Sequence, residues 1–348
     1  MPVHVKEQVM LQYGSSETRS AAHEPSVSRS VKKAAVVAAK LIVTGLCFWY
    51  LSWQIDLSAV FKALRQLELR WAAASVFVVI LQLPLVAARW REILKVLVGL
   101  DRRMTNIAIL AITAIGFFFT QVLPALMGDG VRAWLLVRRG CDWRNALTSV
   151  AIDRAVGVGL VVALGFVILL LPSSASALGD YRDLVLMVYG ALLLAGSLVL
   201  LLLSQLIPLL GRWRYLRWIA ALAADTRQVV LGPKGLMILS LGVLIHVLTM
   251  AVIWSVGRAQ GLALSASDVA VLFVVIVGVA LVPISINGWG LREIAVVAVL
   301  GRHGIAPEQA LVFSICFGLA LALGSLPGAL AWLVYSSVPA NNTKESRG

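Results

Sequence analysis

Two stretches, Gly128-Asp129-Gly130-Val131-Arg132 and Gly288-Trp289-Gly290-Leu291-Arg292, each place an arginine two residues after a paired-glycine step, at the end of a long apolar run. Each follows a proline, Pro124 or Pro283, and leads into a short apolar segment, 131–137 or 291–301. Proline removes a backbone donor and glycine opens conformations closed to other residues, so a helix can break here and another begin. The new helix would aim its N-terminal amides and positive dipole end at whatever lies before it. An arginine in that first turn is unfavourable to the dipole unless an anion is close, and a guanidinium suits phosphate bidentately. The pattern predicts anion-binding turns built from Arg132, Arg292, Gly128, Gly130, Gly288, Gly290 and Asn287.

Asp153 and Arg154 fall about two turns into a helix that begins near Ala146. Adjacent residues on a helix do not face each other, so each must pair elsewhere. One reading makes Arg154 a third phosphate contact, with Asp129, Asp153 and Glu293 as coupling or orienting carboxylates. The other makes these acids partners in structural ion pairs that hold the turns, or places Asp153 and Arg154 near the membrane surface. An arginine at a bilayer centre costs about 2.5–3.5 kcal/mol on insertion scales, so it faces a partner or a pathway in either reading.

The elements that carry these residues are membrane helices. The chain has 348 residues, 60% hydrophobic and 14% charged, a balance that leaves too little polar surface for a soluble protein of this size. Long apolar segments are predicted at 34–53, 71–88, 104–127, 146–171, 184–210, 236–257, 269–286 and 308–335. They read as helices, because barrel strands would be about ten residues long with alternating polarity. The net charge of +13 is spread over short connecting segments, which points to membrane orientation and away from nucleic acid. Cys47, Cys141 and Cys316 are far apart and form neither a disulfide framework nor a metal site.

Segments 89–103, 138–145 and 211–235 are rich in arginine and lysine and are predicted to be cytoplasmic, whereas 172–183 and 258–268 are predicted to face outward. With 89–103 and 138–145 on one side, the chain between them must enter and leave by the same face. The expected architecture is therefore an all-α polytopic fold of eight long apolar helices. Six cross fully, and the segments 104–137 and 269–301 form two opposed re-entrant hairpins, an inverted-repeat arrangement common among secondary transporters. The alternative is eight or more ordinary spans. Residues 1–33 are expected to form a flexible cytoplasmic tail, 34–335 the transmembrane domain and 336–348 a short cytoplasmic tail. The first apolar run has no cleavage site, so it reads as a retained helix.

His246 reads as a helix-packed histidine with one polar contact. Trp213, Tyr215 and Trp218 among arginines suggest a helix lying in the cytoplasmic interface.

Gly128-Asp129-Gly130 with Arg132, Asp153-Arg154 with Gly157, and Pro283 to Glu293 together resemble the lysylphosphatidylglycerol synthase transmembrane-region family, also called the flippase-like domain family, over roughly residues 35 to 335. Family members often carry two glycines and a glutamate where this chain has Gly128-Asp129-Gly130. The resemblance implies a polytopic inner-membrane domain that moves lipid-linked molecules between leaflets, here without the soluble aminoacyl-transferase domain of the namesake proteins. The expected function is that of an anionic-lipid transporter, flippase or scramblase, with no enzymatic activity and no cofactor. It carries no Walker A motif. The alternatives are a membrane-embedded lipid-phosphate transferase, with Asp153 or Glu293 as base, and an accessory subunit of a lipid or glycolipid synthase. Expected partners are membrane lipids, with such a synthase and a second copy of the chain as further candidates and no nucleic acid.

Overall fold

The computed structural model describes residues 62–99, 104–122, 125–210, 214–281 and 289–337. The predicted first helix, 34–53, and both predicted tails, apart from residues 336 and 337, lie outside them, as do Pro124, Pro283, Asn287 and Gly288. Among the described residues every regular element is helical: α1 (Leu69–Leu97), α2 (Asn106–Val122), α3 (Ala125–Val137), α4 (Trp143–Leu170), α5 (Ser173–Leu178), α6 (Tyr181–Leu210), α7 (Arg214–Leu231), α8 (Gly235–Ala259), α9 (Ala266–Leu281), α10 (Leu291–Gly301), α11 (Pro307–Gly324) and α12 (Leu326–Ser337).

Among the described residues, five stretches are long and apolar enough to cross a membrane: α1, α4, Tyr181–Leu202 of α6, α8, and Pro307–Val334, which joins α11 to α12. They match five of the six predicted crossings; the sixth is the segment at 34–53. The protein is thus a multi-pass membrane protein. The apolar helices α2 and α9 are shorter, with 17 and 16 residues. At about 1.5 Å per residue each reaches roughly 25 Å, less than the ~30 Å of a hydrocarbon core. α2 packs along α3, and α9 along α10, so each apolar run and the short helix after it form an αα pair.

Each pair has its own core. Ile109, Ile112, Leu135 and Leu136 of the α2–α3 pair pack with Trp90 and Leu94 of α1 and Val150 of α4. Leu272, Phe273 and Val296 of the α9–α10 pair pack with Phe313 of α11, Val161 of α4 and Val252 of α8. Asp142 caps α4, accepting from the backbone N–H groups of Arg144 and Asn145 at 3.0 and 3.4 Å.

The structure corrects two boundaries. The stretch 89–103, read as a connecting segment, begins inside α1, which continues to Leu97. Charges of its helical part are paired within the bundle: Glu92, 5% exposed, pairs with Lys95 one turn on and with Lys234 at 2.9 Å. Charges therefore do not end the helix there. The first glycine turn is also not a break, because Gly128, Asp129 and Gly130 lie within α3. Arg132 sits about two turns into that helix, so the dipole reasoning for it falls away. Gly128 serves instead as a contact point, since a Cβ there would meet the Thr120 hydroxyl and the Gly116 carbonyl. Small residues at such crossings let membrane helices approach closely.

Candidate functional site

α1, α3 and α4 bring Arg89, Asp129, Arg132, Asp153 and Arg154 into one cluster. The Arg89 Nε donates to Asp153 Oδ1 at 3.0 Å, and Arg132 donates to Asp153 Oδ2 at 2.9 Å. Asp153 is 2% exposed and thus bridges two buried guanidiniums. Arg154, one residue on, points the other way and donates to Asp129 Oδ2 at 2.6 and 3.0 Å. Arg132 also lies 3.6 Å from Asp129, and its guanidinium sits over the Trp90 ring at 4.2 Å from the centroid. Three guanidiniums face two carboxylates, leaving one positive charge in excess. Arg154 is the accessible member, with a side chain 47% exposed against 9% for Arg132.

These five residues line a cavity of about 280 Å³. Along α1 it is lined by Val79, Gln82, Leu83, Val86 and Arg89, one helix face read at three- and four-residue steps. Along α4 the lining runs from Asp153 and Arg154 through Gly157 and Val158 to Val161. α1 enters the cluster at its C-terminal end and α4 at its N-terminal end. Along both helices the lining therefore passes from charged to mostly apolar residues, and Val277 and Leu281 of α9 add to the apolar part. Val79 and Arg89 lie ten residue steps apart along α1, about 15 Å of helix.

Gly116 keeps this arrangement possible. A Cβ at that position would run into Cγ and Cδ of Arg132. Gly116→Val is expected to displace Arg132 from Asp153 and lower stability by about 1–3 kcal/mol. Thermal unfolding in detergent checks it. Gly130→Ala, which meets open space inside α3, should unfold at or slightly above the wild-type temperature, because alanine favours a helix over glycine.

The second predicted turn behaves differently. Gly290 has φ of +88°, a left-handed conformation that favours glycine, and α10 starts at the next residue. Arg292 does lie in a first helical turn, as the sequence predicts, but its anion is its neighbour. Glu293 Oε1 accepts from Arg292 at 2.7 and 3.1 Å and from the Ser314 hydroxyl at 2.9 Å, and Glu293 Oε2 accepts from the Gly290 N–H at 2.5 Å. The Arg292 guanidinium also sits over Trp289 at 4.6 Å. Arg292 is 4% and Glu293 0% exposed, and neither lines the cavity that holds Arg132.

Sequence reasoning missed Arg89, Thr113 and Ser314. Arg89 was legible as the continuation of the 79, 82, 83, 86 face of α1. Thr113 and Ser314 carry no signal that separates them from other hydroxyls in apolar helices. His246, assigned to packing, lines the cavity. Cys141, in the loop before α4, is buried, which together with nearby Asp142 pushes its thiol pKa up, so it is a poor nucleophile.

Part of the chain is similar to glycosyltransferase AglD of Haloferax volcanii, 27% identical over 157 residues. That match covers 45% of this chain, which spans only 24% of the relative's length. Residues 37–328 match the family described as the lysylphosphatidylglycerol synthase TM region. With its apolar helices, its paired αα units and its arginine–aspartate cluster inside that stretch, the chain belongs to the lysylphosphatidylglycerol synthase TM region family.

Proposed function

We infer that this protein is a lipid transporter of flippase or scramblase type, moving an anionic or lipid-linked amphiphile between leaflets. The observation that carries this reading is the cavity itself, whose lining passes from charged to mostly apolar residues and holds one positive charge in excess. A phosphate at the basic part would neutralise that excess while the acyl or prenyl chains follow the apolar part. Arg154 would receive it first, exchanging its contact with Asp129 for a bidentate phosphate contact. The short α2–α3 and α9–α10 pairs suit re-entrant hairpins of opposite orientation, and rocking of one against the other would open the cavity to alternate leaflets. Of the coupling candidates Asp129, Asp153 and Glu293, Asp129 suits a proton-linked step best in this reading, because Arg154 would release it on taking the phosphate, whereas Asp153 and Glu293 stay bonded to buried arginines.

The similarity to part of a glycosyltransferase favours a second reading, in which the cavity holds a lipid phosphate for a synthase and moves nothing. A transferase built on Asp153 or Glu293 fits less well, because both oxygens of each carboxylate are already engaged, those of Asp153 by Arg89 and Arg132 and those of Glu293 by Arg292 and the Gly290 N–H.

Leaflet transfer of a labelled anionic phospholipid in vesicles containing the purified protein tests the proposal. Arg154→Gln and Arg132→Gln, compared at equal folded yield, are expected to slow transfer by about tenfold or more. Transfer no faster than in protein-free vesicles would overturn transport, and retained lipid binding in that case would favour the synthase-linked reading.

A further inference from the structure

α1 and α8 run antiparallel and are tied at both ends. At one end Lys234, just before α8, pairs with Glu92 of α1. At the other the N–H of Glu68, just before α1, donates to the Ala259 carbonyl at 2.8 Å. Trp71 belongs to this second end, 18 residue steps from Arg89, about 27 Å of helix against the ~30 Å of a hydrocarbon core. It therefore sits near the interface opposite the Asp153 cluster, at the depth of lipid headgroups where tryptophan is enriched.

The side chains at that end form a cationic aromatic box. The rings of Trp71 and Trp254 meet edge to face, with centroids 5.0 Å apart and planes at 82°. The Arg258 guanidinium lies 5.6 Å from the Trp71 centroid and 6.0 Å from that of Trp254, and the Arg70 guanidinium 5.8 Å from Trp71. The two arginines differ in their partners. Glu68 holds Arg70 at 2.7 and 2.8 Å, whereas Arg258, which is exposed, meets no carboxylate among the described residues. Trp71 Nε1 is buried and has no acceptor. The position of Arg258 in the last turn of α8 suits the helix dipole, but that leaves the indole N–H idle, and buried polar groups are almost always paired. Both unused groups are donors, and Glu68, Arg70 and Arg258 together carry one positive charge in excess.

We propose that this box is a second anion site, in which Arg258, with the Trp71 N–H as its second donor, holds the phosphate of an anionic lipid resident in the leaflet opposite the Asp153 cluster. Phosphate is the acceptor-rich group in supply at that depth, and a guanidinium already held by two rings loses little freedom in meeting it. None of Trp71, Trp254 and Arg258 lines the cavity, so the resident lipid is separate from any cargo there, and the proposal stands whether or not the cavity transports. Its role is to pin the paired ends of α1 and α8 at that interface.

The test places the full-length protein in phosphatidylcholine vesicles with a trace of phosphatidylglycerol whose headgroup carries a photoactivatable group, and maps the labelled peptides. Label is expected around Trp71 and Arg258, displaced by unlabelled phosphatidylglycerol and not by inorganic phosphate. Arg258→Gln is expected to lower it about fivefold. Trp71→Phe, which keeps a ring and removes the N–H, should lower it about threefold, and Arg258→Lys, which keeps the charge, less than Arg258→Gln. Arg154→Gln, which alters the cavity, should leave label at this end unchanged. Because Arg258 is exposed, Arg258→Gln should unfold near the wild-type temperature, which separates lost label from lost fold. No label at this end in wild type, label that survives Arg258→Gln, or label that vanishes with Arg154→Gln would each overturn the proposal. Displacement by inorganic phosphate would keep the anion site and overturn the lipid as its occupant.

Discussion

Asp153→Ala is expected to destabilise the folded protein by about 3–5 kcal/mol, enough to show as a lowered unfolding temperature and lost monodisperse yield in detergent. Asp153 is the partner that Arg89 and Arg132 share. Without it Arg132 keeps a 3.6 Å approach to Asp129, and Arg89 keeps only a 3.5 Å contact with the residue-153 carbonyl. Two guanidiniums, both under 10% exposed, would then remain in an apolar bundle with no carboxylate between them. Asp153→Asn preserves shape and one acceptor and should fall between wild type and alanine. Replacing Arg89 together with Asp153, as Arg89→Met with Asp153→Ala, removes one orphaned cation and should restore part of the loss. An Asp153→Ala protein that unfolds at the wild-type temperature would mean that the cluster is solvated and contributes little to holding α1, α3 and α4 together.

The long spans were legible because hydrophobic length is the dominant constraint in a bilayer. The stretches at 71–88, 146–171, 184–210, 236–257 and 308–335 reappear as α1, α4, α6, α8 and the α11–α12 pair, usually with longer ends. The ends moved because a charge count cannot tell a loop from a helix whose charges are paired. Glu92 with Lys95 and Lys234 keeps α1 helical through a stretch that reads as a connection. The cluster around Asp129, Asp153 and Arg154 was legible for a different reason. A helix places residues 153 and 154 about 100° apart, so they had to find different partners. Which partners they found was not legible, since Arg89 lies 64 positions from Asp153.

The two glycine turns show where sequence similarity misleads. Aligned on their arginines they look like copies, but the backbone of one is helical at both glycines and that of the other has a left-handed Gly290. In the first, Gly128 is needed for lack of a side chain at a helix crossing; in the second, Gly290 is needed for its φ. What the copies share is the treatment of the arginine, which in both is stacked on a tryptophan and held by a carboxylate. They differ in access, because the Arg132 cluster opens into a cavity through Arg154, whereas the Arg292 cluster is closed.

That difference in access sets the second large effect. Glu293→Ala is expected to cost about 3–5 kcal/mol, comparable to Asp153→Ala, and to leave little folded protein. Glu293 is fully buried and serves three partners at once: the Arg292 guanidinium, the Ser314 hydroxyl of α11 and the Gly290 N–H at the start of α10. Its loss uncaps α10, unties α10 from α11 and strands Arg292 with Ser314 alone. Glu293→Gln keeps an acceptor for Gly290 and should be milder. Arg292→Ala, which leaves Glu293 buried and charged, should lower the yield in the same way, whereas Arg154→Gln at the accessible cluster should leave it near wild type. Thermal unfolding and yield measured in parallel with lipid transfer separate the two roles. If Arg292→Ala instead folds normally and fails only in transfer, Arg292 belongs to the lipid path beside Arg132, and the closed cluster must open during the transport cycle.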